Sequence, residues 1–375
     1  MTHLSWRRLK ALCIKESFQI LRDPSSGIMA FILPMMLLVI FGYGINLDAT
    51  SMRLGLCVES TGQPATEFAA HLTGTPYFEI QPGTRPELDT LLAEGAIRGY
   101  VILATDFSRA MNNGQSSAPI QVVTDGTEPN IATFLAAFLQ NTWSLWQESQ
   151  ARNQGQSISP DADIQARYWY NPAAISRHYL IPGSITIIMT VIGAMLTSLV
   201  VAREWERGTM EAVLASPVTR TEILLSKLLP YFLLGMISMG IVAASAVFFM
   251  GVPFHGSIPA LLLVTALFLL SMLGLGLLIS SVMRNQFDSA QTTLNIAFLP
   301  AVMLSGAFFV IDSMPAPIRA ITYVLPPRYL VSSLQTIFLA GDIWDILVPN
   351  ALFLAGTSTL FLFLTVRATR RRLDG

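Results

Sequence analysis

The chain alternates long apolar runs with short charged ones. Six runs are apolar enough to stand out: 27–45, 179–202, about 228–252, about 258–282, about 292–311 and about 346–366. Each approaches or exceeds the ~20 residues a helix needs to cross the hydrocarbon of a bilayer. None of them contains Asp, Glu, Lys, Arg or His. The pattern predicts an α-helical membrane protein with six transmembrane helices. The first run, 27–45, is longer than a signal-peptide core and has no clear small-residue cleavage site behind it, so it reads as a retained span.

Between the first two spans the pattern changes. RLGLCVES (53–60), GYVIL (99–103) and APIQVVTD (118–125) read as strands, whereas TEFAAHL and RPELDTLLAEG read as helices. A longer helix is expected over about 129–152. Residues 46–178 therefore predict an inserted α/β domain, long enough to bury its own core. Neither paired carboxylates nor a metal-ligand spacing marks a hydrolase or metal site within it.

Ahead of span one, residues 4–22 have helical amphipathicity. Trp6, Leu9, Cys13 and Ile20 fall on one stripe, and Arg8, Lys15, Gln19 and Arg22 on the other side. Asp23-Pro24 stops the helix. A basic amphipathic helix beside a span reads as lying in the membrane interface, either as a topology anchor or as an element that also gates the bundle.

Composition agrees with the pattern. The chain has 375 residues, 52% of them hydrophobic and 13% charged, with a mean hydropathy of +0.54. That is too apolar for an ordinary soluble domain. The net charge of −1 singles out no partner and gives no sign of nucleic-acid binding. The Lys/Arg distribution sets orientation. Residues 1–26, 203–227, 283–291 and 367–375 hold five, four, one and four basic residues, whereas 253–257 and 312–345 together hold two, Arg319 and Arg328. Both termini are thus expected in the cytoplasm and 46–178 outside. Cys13 and Cys57 then fall on opposite sides and cannot pair within one chain.

Charge concentrates in 201–227, where eight of 27 residues are charged. On a helix with Trp205 at the origin, Val201, Thr209, Ala212 and Val213 share one face, while Arg203, Glu204, Arg207 and Glu211 occupy the opposite arc. Arg207 and Glu211 are four apart and can pair. Pro217 breaks this helix, and Thr219-x-x-Glu222 has the form of a capping box opening the next. The segment is expected to be an elbow, with a short amphipathic helix over 203–216 and then a return into the membrane. Its charged arc faces either water or a protein.

The run RExERGTxExLxxSPxxRxExLxxK, as it stands in 203–227, resembles the signature of ABC-2 type permeases, the membrane subunits of one class of ATP-binding-cassette exporters. The likeness runs nearly end to end. It includes SWRRLKALCIKES and ILRDPSS at the start, FGYGINLD after span one, VTDGTEPN, RYWYNPAAIS before span two, and LSGAFFVIDSMPAPIRAITYVLPPRYLVSSLQTIFLAG. The branch most resembled is the bacterial drug-efflux-like one with a large extracytoplasmic domain. The resemblance implies that Arg203, Glu204, Glu206, Arg207, Gly208, Thr209 and Glu211 dock on a separate ATPase subunit. It also implies a second permease, identical or paralogous, and allows a periplasmic adaptor. The implied location is a bacterial inner membrane.

What is missing is informative too. A Walker A loop needs Gly-Lys within G-x-x-x-x-G-K-[ST]. The three lysines, Lys10, Lys15 and Lys227, follow no glycine. This chain is therefore expected to carry no catalytic site and no cofactor of its own, with ATP and Mg on the partner. Spans without ionisable groups argue against an ion-coupled antiporter. A membrane-anchored periplasmic sensor or scaffold is the other alternative.

Residues 306–342 are apolar yet interrupted by Asp312, Pro315, Pro317, Arg319, Pro326, Pro327 and Arg328. Broken backbone exposed to lipid leaves its polar groups without partners. A pair of short re-entrant helices, as the family also has, solves this; an ordinary interfacial loop is the alternative. Asp312, Pro315, Pro326 and Arg328 are the candidate outer-gate residues. The spans carry small residues where helices could approach, Gly193, Thr197, Ser271, Gly274 and Gly276 among them.

Overall fold

A computed structural model of the chain describes residues 5–44, 52–74, 78–112, 120–124, 129–153, 175–210 and 218–369. It divides into two units, one comprising 1–47 and 167–375, the other 48–166.

The smaller unit is built on strands β1 (Met52–Val58), β2 (Phe78–Pro82), β3 (Gly99–Leu103) and β4 (Ile120–Thr124). The sheet order is β2-β1-β3-β4, with β1 parallel to β2 and β3, and β4 antiparallel to β3. Parallel neighbours need crossovers. The helices Gln63–Thr73 and Arg85–Ala93 supply them. The period-2 alternation sorts side chains onto two faces. Leu54, Leu56, Val101 and Leu103 join one core with Phe68, Phe107 and Trp146; Cys57, Tyr100 and Ile102 join another with Leu88 and Ile97. Hence every residue of β3 is buried. Gly55 has a specific reason: a Cβ there would stand 2.6 Å from Tyr100 Cβ and 2.7 Å from Leu88 Cδ2. The long helix Pro129–Asn153 places Trp143 and Trp146 against Phe68, at ring distances of 5.4 Å.

The larger unit is helical. We label its main elements α1 (Trp6–Arg22), α2 (Pro24–Gly44), α3 (Ser176–Glu206), α4 (Arg220–Phe248), α5 (Ile258–Met283) and α6 (Gln286–Thr293), then α7 (Leu299–Leu304), α8 (Ala316–Thr322), α9 (Pro326–Gln335) and α10 (Trp344–Ala368). Five of these, α2, α3, α4, α5 and α10, are long and apolar enough to cross a membrane. Helix α3 is the central post. In its most apolar window 89% of residues are buried, against 22% in α10. Helices α2, α4, α5, α6 and α9 all pack on it. Small residues set the closest approach. A Cβ on Gly276 of α5 would lie 2.3 Å from Ala194 O of α3, and Thr197 Oγ1 donates to Leu273 O at 3.0 Å.

The fifth apolar run differs from its expected form. Its helix starts at Gln286, where Asn285 Oδ1 accepts from Asp288 N at 3.2 Å, and stops at Leu304. A π-turn over Leu294–Phe298 joins α6 to α7 just before Pro300. The same device, a π-turn over Ile28–Ile32, precedes Pro34 in α2. A proline ring clashes with the carbonyl four residues back and cannot donate; the widened turn makes room for the ring, and in α2 the Ser238 hydroxyl donates instead to Ala30 O, four residues before Pro34, at 2.6 Å. Beyond Leu304 the chain is irregular, with Gly306 at a positive φ of 88°. So 305–311, read as part of the span, is not helical at its start and enters a 3-10 turn only at Ile311–Ser313.

Two short helices follow within 306–342, α8 and α9. Pro315 caps α8, and Pro326 starts α9, where its missing N–H costs nothing. Asp312 is exposed in the 3-10 turn, and Pro326 is buried. Arg328 lies over the Tyr323 ring at 3.9 Å and donates to Thr322 Oγ1.

Candidate functional site at the charged helix ends

The expected elbow begins later than the sequence indicates. Residues 203–206 are the last turn of α3 itself, not the start of a separate helix over 203–216. The helix closes at Arg207, whose N–H reaches Arg203 O at 3.1 Å, and Gly208 follows with φ +68°. That left-handed glycine is a common way to end a helix. Thr209 and Met210 resume a helical turn. Glu211, Ala212, Val213 and Pro217 lie outside the described residues, so the Arg207–Glu211 pair and the end of the elbow helix do too.

The charged arc divides into a buried part and an exposed part. The sequence pattern puts Glu204 on the solvent-facing or docking arc, but it is only 3% exposed. The reason is the uninterrupted helix, which keeps Glu204 on the packed face that carries Val200 and Val201. Its charge is matched from other helices. Lys15 Nζ of α1 donates to Glu204 Oε1 at 2.9 Å. Lys227 Nζ of α4 stands 2.8 Å from Glu204 Oε2, within ion-pair range though poorly aligned for a hydrogen bond. The same two lysines reach Glu16 Oε1 at 3.1 and 3.2 Å. Two lysines and two glutamates thus form one cluster joining α1, α3 and α4. Glu16 and Lys227 are each 2% exposed. Burial works against a charged Lys15, but the bonds and charges of Glu204 and Glu16 outweigh it and raise its pKa.

Arg203 is likewise turned inward. Its guanidinium pairs with Asp23 Oδ2 at 2.5 Å. Asp23 also accepts from Ser25 N at 3.2 Å, capping α2, and from the Ser25 and Ser26 hydroxyls at 2.7 and 3.0 Å. Burial opposes the ionised form of Asp23. The hydrogen bonds from Ser25, Arg203 and Ser26, with the Arg203 charge, win and hold its pKa at about 2.

Glu222 makes the expected capping box with Thr219, accepting from Thr219 N at 2.7 Å while its own N–H reaches Thr219 Oγ1 at 3.2 Å. It does more than that. Glu222 Oε1 also accepts from Ser5 N at 2.6 Å and pairs with Arg8 at 3.1 Å, fastening the start of α1.

Of the sequence-assigned residues, Glu206, Arg207, Gly208 and Thr209 remain on the surface. They form one exposed knob at the end of α3. Thr209 was assigned to the apolar face yet is exposed, because the turn at Gly208 re-aims it; its hydroxyl donates to Glu204 O at 3.3 Å. Glu206 accepts from Gln286 N at 2.7 Å, tying the knob to the start of α6. Beside it Arg284, itself at φ 55°, lies 4.7 Å from the Trp205 ring. Among the described residues, no atom lies within 4 Å of where a Gly208 Cβ would be. Its φ of +68° is by itself a conformation that favours glycine.

Helix α1 also departs from its expected facing. Leu9 and Glu16 are buried, whereas Trp6, Ile14, Phe18 and Leu21 form a stripe exposed by 74%, 47%, 54% and 81%. Trp6 therefore does not share the buried side with Leu9. Glu16 went unnoticed because a carboxylate on an apolar face has no meaning until Lys227, far along the chain, is brought to it.

This architecture is that of a multi-pass membrane protein whose charged helix ends are cross-braced. The chain matches the family model described as ABC-2 family transporter protein over residues 26–367. It belongs to that family, and is a permease subunit of an ABC transporter. It is 54% identical, over 99% of both chains, to the probable multidrug ABC transporter permease YbhS of Escherichia coli K12. It is 28% identical to the probable multidrug ABC transporter permease YbhR of the same organism, over 94% of this chain and 97% of that one. The linearmycin resistance permease protein LnrN of Bacillus subtilis is 21% identical over 95% of this chain and 97% of its own.

Proposed function

We propose that the chain is the six-span membrane half of a drug exporter in a bacterial inner membrane, driven by ATP and Mg bound to a separate ATPase. The sixth span in this reading is the α6–π–α7 segment, which a proline interrupts. The permease names of the Escherichia coli relatives support a drug as cargo. A second permease, identical or paralogous, completes the pathway, and a periplasmic adaptor is compatible with the α/β unit lying outside.

One observation carries the mechanical part of this reading. Helix α3 runs unbroken from Ser176 to Glu206 and ends in the exposed knob of Glu206, Arg207, Gly208 and Thr209. A rigid helix moves as a unit, so displacement of its end by the ATPase is delivered along the bundle. The braces from Arg203 to Asp23 and from Glu204 to Lys15 and Lys227 carry the same displacement to α2, α1 and α4. Asp312, Pro315, Pro326 and Arg328, at the other end, belong to the outer gate.

Two experiments test it. The ATPase should co-purify with the wild-type chain and lose affinity for Glu206→Lys, since a reversed charge makes an unfavourable contact at a complementary interface. That variant also loses its bond to the Gln286 backbone N–H. Purified Glu206→Lys that retains and activates the ATPase like wild type would remove the knob from the coupling path. A cysteine at exposed Glu94 should react with an impermeant thiol reagent in outer-membrane-permeabilised cells. Labelling only after lysis would invert the topology.

A further inference from the structure

Between α1 and the end of α3 there is an open cleft of about 530 Å³. Its size falls within the usual range for small-molecule sites. Lys15, Arg22, Arg203 and Arg207 line it, with Asp23 as the lining carboxylate and Phe18 beside them. The four cations are not equivalent. Arg203 is spent on Asp23, and Lys15 on Glu204 and Glu16. No carboxylate among the described residues pairs with Arg22 or Arg207, and both side chains line the cleft, with the Arg22 guanidinium 6.0 Å from the Phe18 ring.

The surroundings say which kind of anion fits. Phe18 and Leu21 belong to the exposed apolar stripe of α1 that also includes Trp6 and Ile14. On a membrane protein such a stripe rests in the acyl–headgroup boundary. A ligand entering beside Phe18 therefore meets hydrocarbon at one edge and guanidinium at the other. Free phosphate uses only the second of these features. Basic pockets between helices at the cytoplasmic surface suit anionic lipid headgroups.

The geometry points to a binding site for the phosphate headgroup of an anionic phospholipid, held by Arg22 and Arg207 with its acyl chains along Phe18 and Leu21. Arg22 ends α1 and Arg207 belongs to the knob at the end of α3. A bound headgroup bridges the N-terminal helix to the turn that the proposed function gives to the ATPase. The choice of the inner leaflet rests on the orientation proposed above, but binding itself does not.

The test uses the purified full-length permease in zwitterionic detergent-lipid micelles, titrated with phosphatidylglycerol, phosphatidylcholine and inorganic phosphate, with lipid retention read by native mass spectrometry. Phosphatidylglycerol should be retained over phosphatidylcholine and released as salt rises. Arg22→Gln with Arg207→Gln should weaken it about thirtyfold, from about one surface-cation increment per arginine. A charge-matched control, Arg7→Gln with Lys10→Gln, alters exposed α1 residues outside the cleft and should change retention less than about threefold. Equal loss in the control would mean a diffuse basic surface and overturn the site. Inorganic phosphate that displaces the lipid at matched concentration would make it a free-phosphate site and overturn the lipid assignment. A cleft variant that keeps its lipid preference but releases the ATPase would make the cleft a protein surface, which also sinks the proposal. Because retention is read without ATPase, failure of the coupling reading leaves this result standing.

Discussion

The two ends of α3 are braced by different chemistry. At the charged end, Lys15, Glu16, Glu204 and Lys227 join three helices through ion pairs, three of the four groups being buried. At the opposite end the fastenings are mostly neutral. Tyr179 donates to Gly306 O at 3.3 Å, Asn350 donates to Ser333 Oγ at 3.0 Å, and Gly256 N reaches Ile337 O at 2.8 Å. Losing one partner strands an ion at the first end and only a dipole at the second. A stranded buried ion costs several times more than a stranded dipole. The charged end should therefore behave as one all-or-none assembly, and the other end should yield bond by bond.

The sharpest break is Lys227→Met. It leaves Glu16 and Glu204 sharing Lys15, which is itself partly exposed. Removing one partner of a buried ionic cluster typically costs about 3–5 kcal/mol. The thermal midpoint of purified permease in detergent should fall accordingly. Adding Glu16→Leu removes the stranded charge and should recover part of the loss, a coupling that a double-mutant cycle reads directly. A single variant melting with wild type would show that the cluster holds nothing together.

Gly208→Val comes next. The φ of +68° costs a side-chain-bearing residue about 1–2 kcal/mol, and a β-branched one suffers most. With no described neighbour within 4 Å of the new Cβ, the strain should stay within the knob. The ATPase should still co-purify, with its hydrolysis no longer stimulated by drug. Gly208→Asn tolerates the left-handed region better and should retain more of that stimulation. Equal loss in both would point to side-chain bulk instead of backbone conformation.

These two sites show what the sequence disclosed and what it hid. Apolar runs and the alternation in β1 and β3 announce their elements because the signal is local and periodic. The capping box at Thr219 and Glu222 was legible for the same reason. Lys227 was not. In sequence it is one more basic residue near a span, and its partners Glu16 and Glu204 are 211 and 23 positions away. Only the tertiary fold brings them together. Glu204 was read as surface because charge usually is, and that rule fails where another helix supplies the counter-charge. The early end of the fifth helix was hidden differently. Apolar composition continues through Ile311, but Gly306 ends the helix by conformation, which hydropathy does not register.

At the neutral end, Asn350→Leu should cost about 1 kcal/mol. Asn350 Nδ2 donates to the Ser333 and Ser332 hydroxyls at 3.0 and 3.3 Å, and leucine has similar bulk without the donor. Ser333 keeps a bond of its own, its Oγ donating to Tyr329 O at 2.8 Å. The loss should add to that of Lys227→Met without coupling, because the two residues share no partner. A loss as large as that of Lys227→Met would erase the contrast between the ends.

The smallest effect belongs to Asp23, and its signature is pH. The carboxyl titrates at about 2 in the folded chain, against about 3.9 unfolded. A depressed folded pKa means the folded state favours the ionised form. The Asp23–Arg203 contribution is then fully present above about pH 4 and disappears as pH falls through about 2. Asp23 and Arg203 are both partly exposed, so the contribution is modest, under about 1 kcal/mol after screening. Asp23→Asn keeps the capping oxygen and removes the charge. The difference in thermal midpoint between wild type and Asp23→Asn should stay constant from pH 7 to pH 5, then shrink toward zero below pH 3. High salt should reduce it only slightly, because the pair is in direct contact. A difference that instead vanished between pH 6 and pH 5 would place the titrating group elsewhere and detach the Arg203 brace from the charged end.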